Sequence, residues 1–222
     1  MEMRYLYYIL VFSFLYSDYI YEYKIKSFGI EVAECKMSVR DTLFNNKINT
    51  LLNFSVNTLD FFDILYPVNN RYSIIINDEK STIFFKKDTF QPKIINSIQT
   101  ETRNNRIFYK NSDYEIPSQT LNIFSLLYIL MQDSEQLKDI DNNLLEREGK
   151  FYSYSIFQDN NEYELKISSV DNNEGMIKHT DIFTWAIFKD NVDRYIYIKD
   201  NRIDKCTVKS GIINFTAEYI KK

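Results

Sequence analysis

Ser118 to Gln132, SQTLNIFSLLYILMQ, is the stretch that most limits what this chain can fold into. Ser118, Asn122, Ser125 and Gln132 fall at helical spacing and form a narrow polar stripe. Leu121, Ile123, Phe124, Leu126, Leu127, Tyr128, Leu130 and Met131 cover the rest of the circumference. A helix of this kind must be buried on about three sides. Its surroundings are written in alternating polar and apolar residues, so the burial partner that the sequence predicts is a curved sheet wrapped around the helix.

The alternation begins after Asp18. Tyr19, Tyr21, Tyr23 and Ile25 face one way and Glu22, Lys24 and Lys26 the other, the pattern of a half-buried antiparallel strand. The next strand, Ile30 to Arg40, changes phase between Val32 and Cys35, which predicts a bulge near Ala33, because a plain slip would turn the core face outward. Further strands are predicted over 48–56, 72–76, 82–86, 93–102, 107–110, 151–158, 162–169, 177–189, 194–199, 203–209 and 212–220, with a short helix at Thr58–Leu65 ended by Pro67. In the 177–189 strand, Phe183, Trp185 and Ile187 form one face and Ala186 and Phe188 the other, so this segment is expected to be dry on both sides. The fold class is therefore mainly β: a curved antiparallel sheet, barrel or half-barrel, with one long buried helix and one short one.

Tyr5 to Tyr16 is a run of apolar residues followed by Ser17, too short to span a bilayer and suited to a signal-peptide core. The organisation expected is residues 1–17 as signal peptide and 18–222 as a single barrel-like domain, exported to the periplasm or cell envelope. At 222 residues with 26% charged and a formal net charge of −4, the chain can bury a core without staples and lacks the basic excess of a nucleic-acid binder. The 18 Tyr and 17 Phe accompany abundant Asn, Ile and Lys and scarce Ala and Gly, so they read as composition rather than as an aromatic binding surface.

Catalytic patterns are sparse. The single histidine, His179, has no fixed-spacing nucleophile or carboxylate beside it, and one His with two Cys cannot make a His-rich or structural zinc site. Four glycines leave no phosphate-cradling loop or dinucleotide fingerprint, and the Asp171 turn lacks calcium-loop spacing. Asp60 and Asp63 at i, i+3 read as caps of their short helix. The expectation is a non-enzyme with no cofactor and no metal. Cys35 and Cys206 could bridge neighbouring strands if the sheet closes on itself, or pack as free thiols.

Tyr23-Lys24-Ile25 with Phe28-Gly29-Ile30-Glu31-Val32, then Leu65-Tyr66-Pro67-Val68, Leu126-Leu127-Tyr128, Phe183-Thr184-Trp185-Ala186 and Gly211-Ile212-Ile213 occur in an order that resembles the exported bacterial family known as domain of unknown function 3108. The resemblance implies an exported antiparallel barrel or half-barrel of Gram-negative type, with no catalytic residues to carry over. Ala33 stands where members tend to have Gly, Leu130-Met131 where an Arg follows the helix tyrosine, and no proline follows the Trp strand.

Two function classes follow. One is an envelope protein that binds a lipid, another apolar ligand or a protein partner in the curve of the sheet, with Phe124, Leu127, Tyr128 and Met131 as the helix stripe, Trp185 beside it, and the Tyr128 phenol orienting a head group. The other is a structural or assembly component of the envelope whose helix plugs the sheet. A hydrolase stands third.

Overall fold

Hairpin turns carry the chain from strand to strand. The computed structural model describes residues 19–103, 106–110, 115–117, 120–132, 143–170, 181–211 and 213–221. The apolar run Tyr5 to Tyr16, Ser118, His179, residues 133–142 and the turn expected at Asp171 lie outside the described residues. Asn45-Asn46 and Asp200-Asn201 both have positive φ at both positions (52° and 60°, 51° and 53°), the backbone of two-residue turns whose twist matches that of the flanking strands. Asn and Asp tolerate this region better than other side-chain-bearing residues, so the abundant Asn has structural work in the turns.

In chain order the elements are β1 (Tyr19–Ser27), β2 (Ile30–Phe44), β3 (Lys47–Thr58), α1 (Asp60–Leu65), β4 (Asn69–Ile76), β5 (Thr82–Gln91), β6 (Ile94–Arg103), β7 (Arg106–Tyr109), β8 (Glu115–Pro117), α2 (Ile123–Gln132), β9 (Leu144–Arg147), β10 (Lys150–Asp159), β11 (Glu162–Ser169), α3 (Ile182–Phe188), β12 (Asp193–Lys199), β13 (Arg202–Ser210) and β14 (Ile213–Tyr219). The strands form one 14-stranded antiparallel sheet. Its order runs from β8 down to β1, continues at β14 and descends to β9, so the first and last strands lie side by side at its centre.

The sheet is not closed: β8 and β9 are its edges. The β9 edge is partly covered by Leu121, whose N–H donates to the Leu144 carbonyl at 3.1 Å and whose own carbonyl accepts from Glu146 N at 2.8 Å. An uncovered row of backbone groups invites pairing with another chain, and this contact occupies part of that edge. Curvature comes from irregular pairing. Ile25 pairs with Ala33 and Lys26 with Glu31, leaving Val32 unmatched, which places the bulge one residue from the predicted position.

α2 lies in the curve of this sheet. It starts at Ile123, five residues later than the sequence pattern suggested, because Leu121 is drawn into the contact with β9 and Asn122 takes over the cap, accepting from Ser125 N at 2.8 Å. The Phe124 ring packs 4.4 Å from Tyr72, 4.9 Å from Phe54 and 6.3 Å from Phe85, centroid to centroid, which brings β3, β4 and β5 onto one face of the helix. The middle of the polar stripe is buried too: Asn122 is buried, and Ser125 is fully enclosed and shares a 2.7 Å hydrogen bond with Thr82 of β5, while Gln132 at the helix end is exposed.

The expected strand at 177–189 is the main correction to the fold. Residues 182–188 form α3, a third helix among the described residues, where one long and one short helix were expected. Asp181 starts it, its Oδ1 accepting from Phe183 N at 3.1 Å and Thr184 N at 2.9 Å. Arg194 of β12 finishes it by donating to the carbonyls of Ile187 and Lys189 (2.6 Å), groups that a helix end leaves unpaired, and to that of Val192 (2.8 Å) in the following loop. No described helix is long and apolar enough to cross a membrane, which says nothing about the strands.

Leu126 is fully buried, whereas Leu127 in the next position is only partly so. Leu126→Ala is therefore expected to lower stability by about 2–5 kcal/mol, and Leu127→Ala by clearly less, in urea unfolding monitored by far-ultraviolet circular dichroism. Equal losses at the two positions would contradict this placement of the helix.

Candidate functional site

The strand directions divide the interior into two ends. The β1–β2 turn, α1 and α3 lie at one end, and the C-terminus of α2 with the β2–β3 and β12–β13 turns lies at the other. α2 fills the second end. Between its first turns, α3 and the inner face of the central strands lies an apolar cavity of about 150 Å³, open on one side. Phe124 and Leu127 contribute from α2, Phe183 and Ile187 from α3, and Tyr23, Phe54 and others from the sheet. No lining residue is charged. A volume near 150 Å³ lined by apolar side chains is enough for a benzene-sized molecule, and it is below the roughly 300–1,000 Å³ of a drug-sized site.

Two of the residues expected from sequence meet here, Phe124 and Leu127. The others do not. Met131 is fully buried in the core. Tyr128 points to the opposite end, into a polar cleft of about 400 Å³ lined by Tyr19, Arg40, Asp41, Gln132 and Asp200, so its phenol does not reach the apolar cavity. Trp185 is 39% exposed, with the Lys189 ammonium 5.1 Å over its ring, because a helical rather than extended 182–188 turns Phe183 and Ile187 inward and leaves Trp185 outside.

Cys35 and Cys206 both line the cavity and both are free. Cys35 pairs with Tyr23 of β1, Ile25 of β1 with Ala217 of β14, and Ala217 with Cys206, so two strands separate the cysteines. Three strand spacings amount to roughly 14 Å, twice the reach of a disulfide. Burial pushes the Cys35 thiol up to about 12 and the Cys206 thiol to about 11, so both are protonated and poorly nucleophilic at neutral pH.

Behind the α3 wall sits a buried charge cluster that no local sequence pattern announces. Lys87 of β5, 2% exposed, donates to Glu148 in the β9–β10 turn and to Asp181 Oδ2 at 3.1 Å. Thr184 Oγ1 donates to the same Asp181 oxygen at 2.5 Å. Burial alone would raise the Asp181 carboxyl, but the Lys87 ammonium and the Thr184 bonds outweigh it and hold it below the ordinary carboxylate range. Burial likewise disfavours the Lys87 ammonium, and Asp181 with Glu148 reverse the effect and raise it. The cluster thus ties the N-terminus of α3 to β5 and to the β9–β10 turn. Beside it, Glu146 accepts from the Tyr109 hydroxyl and from Gly149 N at 2.6 Å. Burial dominates there and raises the Glu146 carboxyl in spite of these bonds.

None of the protein-family models searched matches the chain, and no curated protein matches it. Among solved structures the chain is similar to the crystal structure of a β-barrel-like protein of domain of unknown function DUF1849 from Brucella abortus, at 10% identity and a TM-score of 0.50 over 93% of this chain and 96% of that one. At that identity the likeness shows the fold alone. It also corrects the family expectation: the similarity is to a different domain of unknown function from 3108. The Phe183-Thr184-Trp185-Ala186 piece of that resemblance, read as a strand, lies in α3.

Lys87→Met would leave Asp181 and Glu148 buried without a cation, and is expected to cost about 3–5 kcal/mol in chemical denaturation. A loss under 1 kcal/mol, the size of a surface pair, would show that the cluster is solvated.

Glu146 predicts a pH signature of opposite sign to that of Asp181. Its raised folded pKa means that its contribution is fully present below the unfolded value, about 4.3, and is lost as pH rises through the folded value. Asp181, depressed, contributes above about 3.9 and loses that contribution as pH falls through its lower folded value. Glu146→Gln keeps an acceptor for Tyr109 and Gly149, so its melting temperature should match the parent near the unfolded value and exceed it increasingly as pH rises. Parallel melting curves from pH 4 to 8 would count against a raised Glu146.

Proposed function

We propose that the protein is an exported, non-enzymatic binding protein that holds a small apolar molecule, or a few methylenes of a longer chain, between the sheet and the α2–α3 pair. The observation that carries the reading is the burial pattern of α2. Ile123, Ser125, Leu126 and the four residues from Tyr128 to Met131 are buried, while Phe124 and Leu127, the two that line the cavity, are only partly so. Phe124 packs on the aromatic rings of β3, β4 and β5, yet it and Leu127 keep part of their apolar surface facing the cavity, where a helix that simply filled the interior would have that surface covered. Export is supported by the apolar run Tyr5 to Tyr16. Uncharged lining and thiols held protonated favour holding over chemistry.

The reading is tested with benzene, an uncharged molecule of the size the cavity admits, by isothermal titration calorimetry. The parent protein should bind it saturably. Leu127→Trp, which fills the cavity from α2, should abolish the binding while retaining the parent's circular dichroism. No saturable binding by the parent, or unchanged binding by Leu127→Trp, would be incompatible with this function.

A further inference from the structure

Arg40 and Asp41 are neighbours in the chain, carry opposite charges and do not pair. Both are exposed, and neither makes an ion pair or a side-chain hydrogen bond among the described residues. The strand explains this. Successive side chains of β2 leave on opposite faces, which holds adjacent charges apart. Both nevertheless line the polar cleft at the second end of the interior. β2 outruns β1 there: Tyr19, the first residue of β1, pairs with Val39, and Arg40 to Phe44 extend beyond it. With no described strand on that side, side chains from both faces reach the opening.

The rest of the cleft is aromatic and uncharged at neutral pH. Tyr19, Tyr21 and Tyr128 supply its rings. Burial raises the Tyr21 phenol, with Tyr19 adding to the effect. It raises the Tyr128 phenol as well, where a bond with Thr50 opposes it and the nearby Asp41 carboxylate adds to it. Gln132 and Asn201 bring amides. Asp200, the third charge of the lining, is already engaged by Arg202 at 3.4 Å. At about 400 Å³ the cleft falls within the range of small-molecule sites, unlike the apolar cavity.

A ligand with a single charge meets a like charge here. An anion on Arg40 lies beside Asp41, and a cation on Asp41 lies beside Arg40, and such juxtaposition costs affinity. An apolar ligand would strip water from two unpaired ions and return nothing. A molecule that carries both charges close together satisfies each.

From this we infer that the polar cleft is a second binding site, for a small zwitterion bearing an ammonium and a carboxylate, such as a free amino acid. Arg40 receives the carboxylate through its planar pair of N–H donors. Asp41 accepts from the ammonium, which a tyrosine face also attracts. The side chain of the ligand lies along the remaining rings. The cleft shares no lining residue with the apolar cavity, so this inference stands apart from the function proposed above.

Isothermal titration calorimetry at pH 7 with phenylalanine, phenylalaninamide, N-acetylphenylalanine and glucose tests it. The amide keeps only the ammonium and the acetylated form only the carboxylate. Phenylalanine should bind the parent saturably, and each blocked form should bind about tenfold or more weakly than it does. Arg40→Met should bind phenylalanine no more tightly than the parent binds the amide, and should lose the preference of phenylalanine over the amide. Asp41→Asn should do the same with respect to the acetylated form. Both substitutions alter exposed side chains, so the variants should keep the parent's circular dichroism and melting temperature. Phenylalanine binding the parent no better than its blocked forms overturns the inference, as does an affinity that neither substitution changes. Binding of glucose alone would make the cleft a polyol site and overturns it too, and so does binding of none of the four. None of these results bears on the apolar cavity, which benzene reports separately.

Discussion

A helix that is apolar around almost its whole circumference has to be enclosed, and the rest of this structure follows from enclosing α2. A flat sheet could cover only one side of it. Fourteen strands bent by bulges, with β1 and β14 joined at the centre and β7 and β9 brought together by the bond from Tyr109 to Glu146, cover most of the others. Leu121 then spans part of the remaining gap through its bonds to β9, which is also why the helix cannot begin earlier than Ile123. α2 is ten residues long, about 15 Å at 1.5 Å per residue, and fills one end of the interior only.

The other end is completed by α3, and its attachment differs in kind. α2 is held by aromatic packing on Phe124 and by the Ser125–Thr82 bond. α3 is held at its start by a buried ion cluster and at its finish by Arg194. Desolvating three charges for the sake of a seven-residue helix is poor value as stability alone, because such clusters are often no better than apolar packing of the same volume. What the cluster does is fix position: with Asp181 tied to Lys87, Phe183 and Ile187 face the sheet and form a wall at a distance from Phe124 and Leu127. The space between those walls is the cavity.

The sheet was largely legible in the sequence because its signal is local. Alternation in Tyr19–Lys26, the phase change at Val32 and the Asn-rich turns each report on their own few residues, and most predicted strands match observed ones within a few residues. The signals that failed are those for which local pattern is degenerate or silent. Ile182 to Phe188 is apolar at almost every position, which suits a strand dry on both faces as well as a short helix, and the Asp181–Thr184 capping pair was the cue that favours the helix. Lys87 lies one residue beyond the strand predicted over 82–86, in the charged run Lys86-Lys87-Asp88. Its partners lie 61 and 94 residues away, and nothing near it in sequence announces them. Of the expected site, Phe124 and Leu127 were found because helical spacing places them on one face. Tyr128 and Trp185 were misplaced because one depends on which end of the interior the helix reaches and the other on a misread element.

The central claim is that the space between α2 and α3 is a real apolar cavity, open on one side, and not a packed core. Xenon tests this without assuming any natural ligand, since it enters apolar cavities of this size and is located by its scattering. Crystals of the protein pressurised with xenon should show a bound atom between Phe124, Leu127, Phe183 and Ile187, and crystals of Leu127→Trp should show none there. Absence of xenon from that position in the parent, with occupancy elsewhere proving that the gas had entered the crystal, would contradict the account.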